Sequence, residues 1–440
     1  MRIAPPIARA LRLSIIEGSL WAIYWNIIAG VVINALALAI GARPLHLAIL
    51  NALPLLGQVF GLPAARYLQT RDHRKPLALL AEAISRGVWL LVPLIAWMPP
   101  DDGRIWFLLA VAAFSHMTHA SGAVAWVSWV SDLVPEAIRG TYFGVRTAIL
   151  GLVGAVGATL ASAWADDARS TGGDEVYLHV LLALVVVAVL VGAVGWAALR
   201  MQPVRRMRRM AEAGWSAIAR QLAHGNGVRI AVCWAALAFS AGVTMGIFPP
   251  FFLDRLGMSM VGFTAYGWIA LAVSTAATPA LGRLADRWGH RTMLLVAWIG
   301  VLGQPLLSFF TPNDQPHLLG LMPWTILLDA VVGGCFWPVV GVAQTNLVIG
   351  EATSESRAGL FAALSAIAGL AGFAGAMVGG GMAEVIGDGQ LAVVAGVGLD
   401  DLRAPLLLGF VLRVLACVTI LAVREPTREG PGVTSAQAFT

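Results

Sequence analysis

Charge is what this chain lacks. Only 12% of its 440 residues are Asp, Glu, Lys or Arg, about half the roughly 25% of a soluble domain. A soluble core of this length needs far more polar surface to cover it, so a globular cytosolic enzyme is excluded. Cysteine is scarce as well. Cys233, Cys335 and Cys417 stand far apart in apolar stretches, with neither metal-ligand spacing nor a disulfide framework, and read as small core residues. No G-x-x-x-x-G-K-[ST] and no H-E-x-x-H occurs, and no polar stretch is long enough to fold into a domain that would hold them. The expectation is therefore no enzyme, no metal and no cofactor, with any uphill work drawn from an ion gradient or from the solute's own.

What is present is apolar sequence: 58% hydrophobic residues and a mean hydropathy of +0.79. A bilayer core takes roughly 20 apolar residues per helix. Such runs fall near residues 14–40, 45–68, 77–98, 104–131, 140–165, 177–199, 229–253, 260–284, 292–310, 318–349, 358–386 and 404–423. They are continuous rather than alternating, which favours helices over a membrane barrel. The first is too long for a signal-peptide core of about 7–15 residues and reads as a retained span. The fold class expected is an all-α membrane protein, twelve transmembrane helices in two pseudo-symmetric six-helix bundles.

Basic residues set the orientation. With the N-terminus inside, 21 of the 29 Lys and Arg residues fall at cytoplasmic ends and loops, and five (Arg43, Arg104, Arg169, Arg255, Arg403) fall outside. The positive-inside rule then makes both termini cytoplasmic. The net charge of +5 is a topology signal, not a nucleic-acid footprint. The longest polar interruption, residues 200–228, falls at the midpoint. Its Arg205, Arg206, Arg208 and Arg209 suit anionic lipid, and Ala211, Trp215, Ile218 and Leu222 fall at the spacing of a short amphipathic surface helix. The expected organisation is an N-terminal bundle (1–199), this linker, a C-terminal bundle (229–424) and a cytoplasmic tail (425–440).

The halves repeat. Arg74 follows span 2 and Arg291 follows span 8. Arg139-Gly140-Thr141-Tyr142-Phe143 opens span 5, and Arg357-Ala358-Gly359-Leu360-Phe361 opens span 11. The two offsets, 217 and 218 residues, indicate a 6+6 duplication, a common plan for secondary transporters. The loop after span 8 reads Gly282-Arg283-Leu284-Ala285-Asp286-Arg287-Trp288-Gly289-His290-Arg291. It resembles the G-x-L-a-D-r-x-G-r-[KR] signature of the major facilitator superfamily, and with the span count and repeat the resemblance covers essentially the whole chain. That signature normally stands between spans 2 and 3; here the first copy has Ala65 and Gln69 in place of Gly and Asp. Span 4 lacks the buried arginine of proton-coupled drug exporters, and span 5, with Gly151, Gly154 and Gly157, lacks the Gly-Pro pair of antiporters.

The resemblance implies a transporter whose spans 1, 4, 7 and 10 line a central cavity, and a cytoplasmic gate built from Gly282, Asp286, Arg287, Gly289, Arg291, Gln69, Arg74, Arg139, Gly140 and Arg357. In it Asp286 is expected to face the start of span 5, and Gln69 the start of span 11. Ionisable groups inside spans are costly and mark function or pairing. Asp329, about ten residues into span 10 as bounded above, stands near mid-depth and is the first candidate for a proton or cation site. Glu17, about one turn into span 1, shares a face with Trp21 and Tyr24, flanked by Trp25 and Asn26. Glu82 and Arg86 on span 3 have the i, i+4 spacing of a structural pair. Arg413 in span 12 needs a partner on another helix. His116 and His119 on span 4 can meet, but the sequence shows no carboxylate or Cys beside them, so polar packing is the expectation. Trp324 and Trp337 on span 10 favour an aromatic-lined cavity.

These features point to a secondary active transporter of a small organic solute, coupled to protons, acting as a monomer in the cell inner membrane with solute, protons and lipid as its partners. The alternatives are a proton-driven exporter of amphipathic compounds and a non-transporting membrane scaffold or assembly factor on the same fold.

Overall fold

A computed structural model describes residues 5–71, 73–135, 138–203, 214–353, 356–387 and 389–425. Among the described residues eleven stretches are long and apolar enough to cross a membrane. One of them, Thr141–Arg200, has 60 residues and at 1.5 Å per residue would run about 90 Å, far beyond a bilayer. It contains a single non-helical residue, Gly173, at φ +70°. A Cβ on Gly154 would meet Ala22 and Asn26, and one on Gly192 would meet Tyr24. Both arms thus lie at one level of span 1, and the chain doubles back at Gly173 to give spans 5 and 6. Twelve crossings result.

Span 1 comprises Pro5–Ile28 and Val31–Ala39, and span 2 runs from Pro44–Gly57 through a 3-10 turn to Gly61–Thr70. Span 3 is Arg74–Gly87 continued as the 3-10 segment Val88–Trp97, and span 4 is Gly103–Leu133. Span 7 is Gly225–Met245, ending in a π-helical turn at Phe251–Arg255, and span 8 is Met260–Trp288. Span 9 is His290–Leu302 with Gln304–Phe309; spans 10, 11 and 12 are Trp324–Glu351, Arg357–Ile386 and Arg403–Ala422.

Two boundaries differ from expectation in ways that matter. Span 1 begins at Pro5, because Arg9 and Arg12 are compatible with helix even though they are not apolar. Span 10 begins at Trp324, because His317–Leu318 and Met322–Pro323 pair as a small hairpin instead of entering the helix.

Each half has its own core. Tyr24, Val32, Leu36, Trp89, Leu108 and Leu181 are fully buried together in the first half, and Leu294, Trp298, Val301, Ala343 and Ile420 in the second. The helix Trp215–Ala223 buries Ile218 against Gly359 of span 11, and Gln221 donates to the Glu351 carbonyl at 2.9 Å. This part of the linker therefore packs on the C-terminal half and is not a free surface helix; Ala211 and the four arginines before it lie outside the described residues.

The halves meet chiefly at the end opposite the termini, here called distal. Asp166 on span 5 accepts from the backbone N–H groups of Met260 and Val261, both at 2.9 Å, and so caps span 8 from the other half. Arg43 joins Asp102 (2.9 Å) to Glu384 (2.8 Å). Towards mid-depth Ser162 bonds Thr264 at 2.8 Å and Trp268 donates to Thr159 at 2.7 Å. Glycines let spans 2 and 11 touch backbone to backbone: a Cβ on Gly369 would run into the Leu55 carbonyl oxygen. At the end carrying the termini, the side chains of Gln69, Arg139 and Asp286 lie outside the described residues.

Candidate functional site

In the first half the expected candidates converge. Span 1 lies against spans 5 and 6 because Gly154, Gly157, Gly192 and Gly195 leave no side chain in the way. Into that space comes Arg86 from span 3. It donates to Glu82 Oε2 at 3.0 and 3.2 Å, to Glu17 Oε1 at 3.3 Å and to the Gly192 carbonyl at 2.5 Å. Its guanidinium lies 5.8 Å from the Tyr24 ring centroid. The Glu82–Arg86 pair is thus one edge of a network tying spans 1, 3 and 6.

Glu17 is only 3% exposed, which corrects its expected place near the membrane surface. With the helix starting at Pro5 it lies about 18 Å along the axis. Its second oxygen, Oε2, is 3.7 Å from Arg146 of span 5, too long for a hydrogen bond. The histidines are also corrected. His119 Nδ1 lies 2.8 Å from Glu82 Oε1, so a carboxylate does accompany them. It comes from span 3, where no scan along span 4 would find it. The His119 ring is 4.9 Å from Trp25 and stacks with Trp21 at 6.0 Å, while His116 meets Trp25 edge-on at 5.4 Å. Trp21 and Trp25 stack at 5.3 Å. Asn26 donates back to the Ala22 carbonyl at 2.8 Å and touches Gly154, a packing role.

The second half holds Asp329 and Arg413. Asp329 is five residues after Trp324, about 7–8 Å from the helix start. It therefore stands in the distal third of the span and not at mid-depth, yet it is fully buried. The Tyr266 hydroxyl donates to its Oδ2 at 2.7 Å, and its Oδ1 has no hydrogen-bond partner among the described residues. Arg413 finds its partners on spans 9, 7 and 10: the Val301 carbonyl (2.7 Å), the Thr244 hydroxyl (3.2 Å) and the Trp337 ring (5.6 Å). Gln304 bridges the two sets, donating to the Asp329 carbonyl at 3.2 Å and accepting from Trp337 at 2.8 Å. Trp324, at the helix start, is 55% exposed and lines a distal cavity with Leu306, Phe310 and Thr325. It lies away from Trp337, so the two tryptophans do not line one cavity.

Of the expected gate, Gly289 takes φ +87°, a left-handed value that glycine allows. It starts span 9, whose first two N–H groups, at His290 and Arg291, donate to Glu425 at 2.7 Å each, while the Arg291 side chain donates to the Leu421 carbonyl. These contacts stay within one half. Gly282 and Arg287 lie near the end of span 8, Arg74 opens span 3 and Arg357 opens span 11. The side chains of Gln69, Arg139 and Asp286 lie outside the described residues, as does all but the helical backbone at Gly140.

Arg146, Trp126, Tyr266 and Gln304 stand outside the expected site, Trp126 and Tyr266 being expected only among the aromatics of the spans and Arg146 only as a charge within one. Arg146 and Tyr266 carried a signal, being a charge and a ring inside apolar runs. Gln304 carried only its neutral polarity within span 9. Arg146 stacks on Trp126 at 4.7 Å and donates to the Ser14 carbonyl at 3.3 Å. Among the described residues no group of His, Cys, Asp and Glu is placed to hold a metal ion.

Two bundles of six spans with buried ionisable clusters in each define a polytopic membrane protein. The chain belongs to the Major Facilitator Superfamily, whose model matches residues 15–349. No curated protein matches it. Among solved structures it is similar to a bacterial homolog of the human lysosomal transporter Spinster in an inward-facing, unoccupied conformation: 17% identity, 97% of this chain and 98% of that one, TM-score 0.68. It is similar also to a mutant form of the nucleoside transporter NupG, at 13% identity over 95% and 99% of the chains, TM-score 0.69. The inward-open xylose transporter XylE from E. coli gives 15% identity over 96% and 97%, TM-score 0.67. At these identities the likeness is one of fold.

Proposed function

We propose that this protein is a secondary active transporter that carries a small organic solute through the gap between its halves by alternating access, driven by protons. The observation that carries the reading is the pairing of two six-span bundles, each holding buried ionisable groups, that are joined at the distal end by Asp166 and Arg43. Rocking residues 1–199 against residues 229–424, with 200–228 as the linker, exchanges which end is shut. Nucleoside, xylose and xylose–proton transporters among the similar structures fit a small polar solute, and the Trp21–Trp25–His119 plate fits one bearing a ring.

Asp329 is the proposed coupling acid. It is wholly buried, holds one hydrogen bond from Tyr266 and leaves Oδ1 unpartnered. A proton on Oδ1 removes a buried charge whose uncompensated presence is costly. Both termini are placed in the cytoplasm of an inner-membrane protein on the arginine asymmetry. A reporter active only in the cytoplasm should work after Thr440, and one inserted near Gly172 should report the outside; the reverse would overturn the orientation. Proteoliposomes screened against sugars, nucleosides and amino acids, with and without a pH gradient, test the function. Accumulation against a gradient only when protons flow supports it. Absence of any solute movement, with accessibility of both gap ends unchanged, would leave a scaffold.

A further inference from the structure

The halves meet at the distal end along two seams of opposite chemistry. The first joins span 5 to span 8 and is polar. Thr159, Ser162 and Asp166 share one face of span 5, and Met260, Thr264 and Trp268 share one face of span 8. They pair in order: Asp166 accepts from the Met260 N–H at 2.9 Å, Ser162 bonds Thr264 at 2.8 Å, and Trp268 donates to Thr159 at 2.7 Å. The second joins span 2 to span 11 and is made of carbon and backbone. Ala48, Ala52 and Ala376 are wholly buried together. A Cβ on Gly380 would meet the Ala48 methyl, and one on Gly369 the Leu55 carbonyl oxygen. At the rim of this seam Arg43 holds Glu384 at 2.8 Å.

A cavity of about 950 Å³ reaches the polar seam from the distal end. Ala39 of span 1, Asp166 and Arg169 of span 5, and Ser259 and Met260 at the start of span 8 stand in its walls, so both halves line it. Arg169 and Asp174, also in its walls, are exposed. Solvent therefore comes up to the outermost contact of the polar seam, and none of the span 2 and span 11 residues named above lines this cavity.

Parting the two seams has unequal consequences. Water replaces hydrogen bonds to hydroxyls, an indole and a carboxylate, so each is lost at a modest net cost. Backbone packed directly on glycine loses its dispersion partners and exposes apolar surface, with nothing in water to replace them.

We propose that the distal end opens on one side only: span 5 parts from span 8, water and solute enter through that seam, and spans 2 and 11 stay in contact as the hinge. This deepens the alternating-access reading above and rests on it.

Single cysteines in a chain lacking Cys233, Cys335 and Cys417 test the hinge without a known solute. Ser162 and Ala48 are both fully buried and lie at matching depth. Ser162 bonds Thr264, four residues after Met260 opens span 8, and Ala48 stands four residues after Pro44 opens span 2. A membrane-impermeant cationic methanethiosulfonate is applied to proteoliposomes from the side on which Ser170→Cys, exposed near the Gly173 turn, reacts. Ser162→Cys should be modified at least about tenfold faster than Ala48→Cys, the scale of one polar contact more or less. Adding Asp166→Asn should speed Ser162→Cys by roughly fivefold or more and leave Ala48→Cys unchanged. Equal rates, or a faster Ala48→Cys, would overturn the hinge and leave alternating access standing. No modification of either cysteine while Ser170→Cys reacts would remove distal opening, and with it both readings. Ala376→Cys gives the same comparison from span 11 where Ala48→Cys fails to fold.

Discussion

The two halves answer the same problem, charge inside a membrane, in different ways. In the first, opposite charges touch: Arg86 holds Glu82 and Glu17 at 3.0 and 3.3 Å. In the second, Asp329 and Arg413 are both buried but each is held by neutral groups, the Tyr266 hydroxyl on one side and the Val301 carbonyl, Thr244 hydroxyl and Trp337 ring on the other. A contact pair resists protonation, because neutralising one member strands the other. A carboxylate bonded only to a neutral hydroxyl can take a proton without breaking an ion pair. The two halves thus hold buried charge differently: in the first the opposite charges touch, and in the second no hydrogen bond or ion pair links Asp329 to Arg413 among the described residues.

The sharpest way to break that contrast is at Arg86. Arg86→Leu leaves Glu17 and Glu82 buried without their shared cation, and removing one member of a buried pair costs about 3–5 kcal/mol. A large fall in thermal stability in detergent, or loss of folded protein, is expected. A midpoint unchanged within error would mean that the network contributes no stability.

A smaller effect is expected where the halves meet. Asp166→Asn weakens the cap on span 8, and a carboxylate at a partly buried helix N-terminus is worth up to about 2 kcal/mol. The population with the distal end open should rise roughly fivefold to thirtyfold. Labelling of Ala42→Cys from the distal side, in a background lacking Cys233, Cys335 and Cys417, reads this directly. Identical labelling with Asp166 and Asn would show that the cap does not bias the equilibrium.

The smallest effect belongs to Trp324. Exposed at the helix start, it should tolerate Trp324→Ala with a stability change within about 0.5 kcal/mol and unaltered solute uptake. A tenfold loss of uptake would place the distal cavity on the solute path.

How much of this could be read from the chain alone divides along the helix axis. Span number, the 6+6 repeat and the i, i+4 relation of Glu82 to Arg86 are visible because they are properties of one helix at a time. What joins helices is not. Nothing in span 4 announces that Glu82 meets His119, nor anything in span 12 that Arg413 reaches Val301 and Thr244. Boundaries misled where apolarity and helicity part company. Arg9 and Arg12 hid the true start of span 1 and made Glu17 look superficial, while the apolar hairpin before Trp324 lengthened span 10 and moved Asp329 inward. Depth, which decides what a charge can do, was the property least legible.

The proposed role of Asp329 as the coupling acid is checked by uptake into proteoliposomes under an imposed pH gradient. With the carrier's own solute, Asp329→Asn should abolish accumulation above equilibrium while leaving exchange intact and thermal stability close to that of the unaltered protein, because the amide keeps the shape and accepts the Tyr266 bond but cannot cycle a proton. Proton-driven accumulation persisting unchanged in Asp329→Asn would remove Asp329 from the coupling step.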